Sequence, residues 1–221
     1  MSPRRLHAPS GAATAGQTRH YAERIDALVA QLRGEIWAPE RPHGLPALVL
    51  LMGLPGSGKT HSGRLLAARL GAAHVASDHL RSRLFLAASY GALENATVFG
   101  CLDALVDTLL AERHRVIVDA THLTASSRAA PARTAARRGV PLVNVLVVAD
   151  ESATLERLAQ RQVARDAHDH SDADRRIYDR MRARPFEPPA GGYLQVRNGP
   201  DLAAELDRVA LAVEDACARA R

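Results

Sequence analysis

Residues 46–60 read Pro-Ala-Leu-Val-Leu-Leu-Met-Gly-Leu-Pro-Gly-Ser-Gly-Lys-Thr. Leu48–Met52 is a short continuous apolar run, the pattern of a strand buried on both faces. It runs directly into Gly53-Leu54-Pro55-Gly56-Ser57-Gly58-Lys59-Thr60, a full match to G-x-x-x-x-G-K-[ST]. Each residue type in that loop has a reason. Gly53, Gly56 and Gly58 let the backbone aim successive N–H groups inward at an anion. The helix expected from Lys59 adds its positive N-terminal dipole. Lys59 reaches the β- and γ-phosphates, and Thr60 offers a hydroxyl to Mg²⁺. The loop, from Gly53 through His61, is therefore the expected site for the phosphates of ATP.

Composition sharpens the reading. The 221 residues carry 29 Lys plus Arg, yet Lys59 is the single lysine. A compact ammonium stands where a guanidinium would not fit. The absence of a second lysine removes the Asn-Lys-x-Asp base-reading motif of a GTPase. The Leu-Ser-Gly-Gly signature of a transport ATPase is also absent. Net charge is +5. That suits a phosphate-rich partner, although an Ala- and Arg-heavy composition gives the same balance. Aromatic residues are 4% against 47% hydrophobic, so the core is expected to be aliphatic, and no aromatic interleaving suggests stacked single-stranded bases. Cys101 and Cys217 form no metal-like spacing, and no apolar stretch is long enough to span a bilayer. These features set the expectation of a cytoplasmic protein with no membrane partner; they leave the oligomeric state open.

Outward from the loop, strands and helices alternate. Strands are expected at 74–77, 116–119, 142–148 and 193–196. Helices are expected at 59–70, 95–112, 126–138, 152–163, from Ser171, and at 202–218. The alternation implies a parallel sheet with right-handed crossovers and ligands beyond its carboxyl edge. Residues 1–18 read as a disordered tail, and 19–44 as a helix plus a Pro-rich tether suited to docking. Residues 45–221 read as the core domain.

Two aspartates fall at strand ends. Asp78, in Ser77-Asp-His-Leu-Arg81, is placed to take a proton from an acceptor hydroxyl attacking the γ-phosphate; it also suits a helix cap. Arg81, one turn on, is placed to grip an anionic group of the acceptor. Asp119 closes Val116-Ile-Val118 in the manner of a Mg²⁺ carboxylate, directly or through water, or of a plain strand-end turn. Thr121 is expected on the acceptor side, and Arg128 projects from the next helix toward the same place. His122 reads as a surface histidine that needs no function. Arg157, Arg161 and Arg165 recur every four residues, either as a solvated face or as arginines of a lid over about 157–184. Arg161 and Arg165, nearest the expected hinge, are the catalytic candidates. His168 and His170 around Asp169 make a poor metal site.

Together, Gly53–Thr60, Ser77-Asp78-x-x-Arg81 and Val116-Ile-Val-Asp119-Ala-Thr121 resemble the P-loop kinases that include polynucleotide 5′-hydroxyl kinase, zeta-toxin-type kinases and chloramphenicol phosphotransferase. The tract from Arg165 through Phe186-Glu187-Pro188-Pro189 is similar to AAA-like bacterial ATP-binding proteins. The resemblance covers about residues 47–200. It implies a three-layer P-loop NTPase fold, a five-stranded parallel sheet flanked by helices, with a helical lid. It also implies Asp78 as general base and Arg81 as a contact for a substrate phosphate. The expected activity is transfer of the γ-phosphate of ATP, with Mg²⁺, to a hydroxyl. A nucleic-acid 5′-hydroxyl is ranked first. A small metabolite, antibiotic or nucleotide sugar is the alternative, and an ATP-hydrolysing switch or binding module is the alternative of another class.

Overall fold

The computed structural model describes residues 26–42, 44–85, 90–164 and 171–220, the side chains of 161–164 and 171–174 excepted. The tail expected at 1–18, and residues 19–25 of the expected first helix, lie outside the described residues.

Helix α1 covers residues 26–35. The order then runs β1 (Leu48–Met52), α2 (Lys59–Leu70), β2 (Ala73–Ala76), α3 (Ser77–Leu84), α4 (Ala92–Ala111), β3 (Val116–Asp119), α5 (Ala125–Arg138), β4 (Leu142–Val148), α6 (Glu151–Ala164), α7 (Ser171–Arg182), β5 (Leu194–Arg197) and α8 (Leu202–Arg219). The five strands form one sheet in the order β2-β3-β1-β4-β5, every pair parallel. The alternating strand–helix pattern is thus realised, and the elements fall within a few residues of their sequence positions. Gly71 and Gly139 stop α2 and α5 in the left-handed conformation that glycine adopts without penalty. Thr124 and Ser127 cap α5 reciprocally.

Because side chains alternate across a strand, β1 feeds two cores. Leu48 and Leu50 point to one face, packed by α3, α4 and α5. Val49 and Leu51 point to the other, packed by α2 and α8. Helix α1 belongs to the first core: Val29, Leu32 and Ile36 are buried there. Arg33 pairs with Glu112 at 2.6 Å and Glu35 with Arg83 at 2.5 Å. The apolar face of α1 is therefore spent inside the domain. Among the described residues no helix is long and apolar enough to cross a membrane.

The sheet order puts the phosphate loop at the carboxyl end of central β1, with β3 on one side and β4 on the other. Leu51 of β1 is in register with Asp119 of β3 and Val145 of β4.

Candidate active site

The loop after β1 takes the conformation its glycines allow. Gly53, Gly56 and Gly58 have φ of 146°, 77° and 92°, and Gly58 leads straight into α2. Gly53 N–H donates to the carbonyl of Thr121 at 3.0 Å, tying the loop to the segment after β3. Asn198, just past β5, braces the other side by donating to the Ser57 carbonyl at 3.0 Å. Lys59 is buried, and its Nζ donates to the Leu54 carbonyl at 2.9 Å, across the mouth of the loop.

A cavity of about 240 Å³ opens in front of this loop. Lys59, Thr60, Asp78, Arg81, Asp119 and Thr121 all line it. Six of the residues singled out in the sequence therefore meet at one place, although they come from three separate strand ends. Asp78 is exposed in the first turn of α3, where the helix dipole favours a carboxylate. Tyr90, Asn95 and Phe99 supply one wall, and Ile177, Arg180 and Met181 of α7 the roof. No motif singles out these six, although Ile177, Arg180 and Met181 lie within the span of about 157–184 read as a lid.

Asp119 is 4% exposed. Burial raises its carboxyl pKa, but the nearby His74 ring, the Lys59 charge and the Thr60 hydroxyl together outweigh burial and leave it below the usual carboxylate range. His74 Nε2 stands 3.4 Å from Asp119 Oδ2. An ionised buried carboxylate beside the Thr60 hydroxyl is a fitting partial ligand set for Mg²⁺, which keeps several waters and takes few protein ligands. Among the described residues, no group of three or more His, Cys, Asp or Glu gathers to hold a metal by itself.

Three expectations change. Arg128 does not line the cavity. Its guanidinium is buried and donates to the carbonyls of His122 (2.7 Å) and Glu187, so it braces the loop. His122 is not at the surface. It is fully buried with φ of 43°, and burial pushes its pKa down to about 4, so it is neutral at pH 7 and packs edge-on to Phe99. Arg81 lines the cavity but is already engaged within the protein: it pairs with buried Glu94, donates to Asn95 Oδ1 at 2.7 Å and stacks on the Tyr90 ring, and only its Nε makes no hydrogen bond. Among the arginines of α6, Arg157 Nη1 donates to the Gly56 carbonyl at 3.2 Å, inside the phosphate loop. The side chain of Arg161 and all of Arg165 lie outside the described residues.

Leu54 and Gly53 also border a second cavity of about 450 Å³, enclosed by Leu146, Tyr178 and Phe186. It carries none of the acid–base residues.

The sequence profile of the AAA domain family matches residues 48–189. No curated protein matches the chain. Among solved structures, Kti12 of Chaetomium thermophilum, solved in complex with ADP-AlF3, is 22% identical, with a TM-score of 0.60 over 77% of this chain and 98% of that one. The APS kinase CysC of Mycobacterium tuberculosis, in complex with AMPPNP and APS, is 18% identical, with a TM-score of 0.57 over 78% and 99%. A chain of the Pnkp1/Rnl/Hen1 RNA repair complex is 21% identical, with a TM-score of 0.52 over 66% of this chain and 47% of that one. At such identities the likeness is one of fold, and fold does not fix a substrate.

Proposed function

Because the chain belongs to the AAA domain family and has the fold of P-loop kinases, we propose that it is an ATP-dependent phosphotransferase acting on a hydroxyl acceptor. One observation carries this reading: the phosphate loop, the buried Asp119 and the exposed Asp78 open onto a single cavity.

In this mechanism the loop N–H groups and Lys59 bind the β- and γ-phosphates. Thr60 and Asp119 would hold Mg²⁺, which would supply charge neutralisation for those phosphates. Asp78 accepts the acceptor's proton as its oxygen bonds to the γ-phosphorus, and ADP departs with the bridging oxygen. Helices α6 and α7 act as the lid. Arg157, already bonded inside the loop, joins Arg161 and Arg165 as the arginines that stabilise the transferred phosphoryl group.

The test is incubation with γ-labelled ATP and Mg²⁺, with and without 5′-hydroxyl oligonucleotides, nucleosides and small alcohols. Label is expected on an acceptor. Label appearing only as free phosphate, whatever is added, would turn the reading toward an ATP-hydrolysing switch. Between the two acceptor classes raised by the sequence, the engagement of Arg81 by Glu94 favours the small molecule over the nucleic acid.

A further inference from the structure

The phosphotransferase reading leaves the acceptor open, and the wall opposite the phosphate loop bears on it. Resting on that reading, we propose that Glu94, by neutralising Arg81, makes the acceptor cavity select compact, uncharged hydroxyl compounds with an apolar portion, and reject acceptors that carry a phosphate.

Four observations lead there. First, the Arg81–Glu94 pair is internal, with side-chain exposures of 7% and 6%. A carboxylate buried against the guanidinium repels any second anion brought to it. Second, the pair is held from several sides. Asn95 Oδ1 accepts from the second guanidinium nitrogen at 2.7 Å, the Tyr90 ring lies 4.5 Å beneath, and Tyr90 N–H donates to Glu94 at 3.2 Å. Releasing Arg81 to an acceptor phosphate would break that assembly and take the guanidinium away from the buried Glu94 carboxylate. Third, the remaining wall is apolar or neutral: Phe99, Ile177 and Met181. Asp78 adds negative charge on the acceptor side, and Lys59 is committed to the nucleotide. Among the described residues, Arg180, on the exposed face of α7, is the further cation of the lining. Fourth, the space is about 240 Å³, below the roughly 300–1,000 Å³ of pockets that hold drug-sized ligands. It must also admit the γ-phosphate, and residues of α7 roof it.

Within the selected class, the acceptor hydroxyl gives its proton to Asp78 and its oxygen bonds to the γ-phosphorus. The bond from that phosphorus to the β–γ bridging oxygen breaks, and ADP leaves with the electron pair.

The experiment compares kcat/KM for label transfer from γ-labelled ATP to two sets of acceptors. One set is uncharged: 1-phenyl-1,2-ethanediol, glucose and cytidine. The other carries phosphate: glucose 6-phosphate, cytidine 3′-monophosphate and a 5′-hydroxyl oligonucleotide. The protein is expected to favour the best uncharged member at least tenfold. Glu94→Gln, which frees Arg81, is expected to move that ratio at least tenfold toward the phosphate-bearing set. The double variant Glu94→Gln/Arg81→Gln removes both charges together and is expected to keep the preference for uncharged acceptors; it also serves if the single variant does not fold. A tenfold preference of the unsubstituted protein for any phosphate-bearing acceptor overturns the proposal while leaving the kinase reading intact. A ratio unmoved by Glu94→Gln overturns it equally. Tight Mg²⁺·ATP binding with label on none of the compounds overturns the kinase reading, and this proposal with it.

Discussion

His74 Nε2 lies 3.4 Å from Asp119 Oδ2, reaching from β2 across to the tip of β3. Gly63 on α2 makes room for it: a Cβ at that position would fall 2.6 Å from His74 Nε2. The histidine thus backs the carboxylate assigned to Mg²⁺, and partners behind a metal-binding group orient it. His74→Ala and Gly63→Ala are both expected to weaken Mg²⁺·ATP binding by about tenfold. Calorimetry with Mg²⁺ and with EDTA checks this, because the loss should appear in the metal-dependent part alone. An equal loss in EDTA would make the histidine a packing residue only.

Asp78 sits in the first turn of α3 and is exposed, so its replacement disturbs little packing. Asp78 makes no cap hydrogen bond, the N-cap being Ala76, and asparagine matches aspartate in shape but cannot take a proton. Asp78→Asn is expected to lower the single-turnover rate of transfer by about 10²–10⁴ with nucleotide affinity unchanged. Lost affinity would point to a role in binding.

Lys59 is buried among loop carbonyls, with Nζ 2.9 Å from Leu54 O. A guanidinium is larger and planar. Lys59→Arg, although charge is conserved, is expected to cost about 2–3 kcal/mol of ATP binding, the value of a hydrogen-bonded charge. Nucleotide titration by calorimetry measures it.

Stability carries a signature in pH. Burial lifts the Asp103 carboxyl on α4 to about 6, with Arg133 opposing only in part. Its folded pKa exceeds its unfolded value, so folding favours the protonated form. Stability from this group is present at low pH and is lost as pH rises from about 4 through about 6. Asp103→Asn is therefore expected to raise unfolding free energy by about 1–2 kcal/mol at pH 7.5 and by almost nothing at pH 4, after discounting for partial exposure. Urea melts at the two pH values would show a constant difference if the reasoning fails.

What was legible in the sequence is what repeats locally. The loop motif, the aspartates at the ends of β2 and β3, and the periodicity of α2, α5 and α8 each lie within one stretch of chain. What was not legible depends on strand order. His74 meets Asp119 only because β2 pairs with β3. Arg81 and Glu94 are 13 residues apart, and no helical or strand spacing joins them across the segment between α3 and α4. Arg128 points where its helix predicts, but the carbonyls of His122 and Glu187 are there first. His122 became buried through a left-handed turn that a non-glycine residue rarely adopts.

Glu187 has a mechanical consequence. Its N–H donates to Leu123 O at 3.1 Å, its side chain accepts from Ala125 N at 2.6 Å, and its carbonyl receives Arg128. Those partners sit on the loop that follows Asp119 and on the start of α5. The chain returning from α7 is thus bolted to the segment after β3, whereas the outgoing end of α6 and α7 at Asp150 is pinned at the surface by exposed Arg197. A swing of α6 and α7 would therefore pivot close to Arg184–Phe186, and its torque would be delivered to the loop after Asp119 before reaching the rest of the sheet.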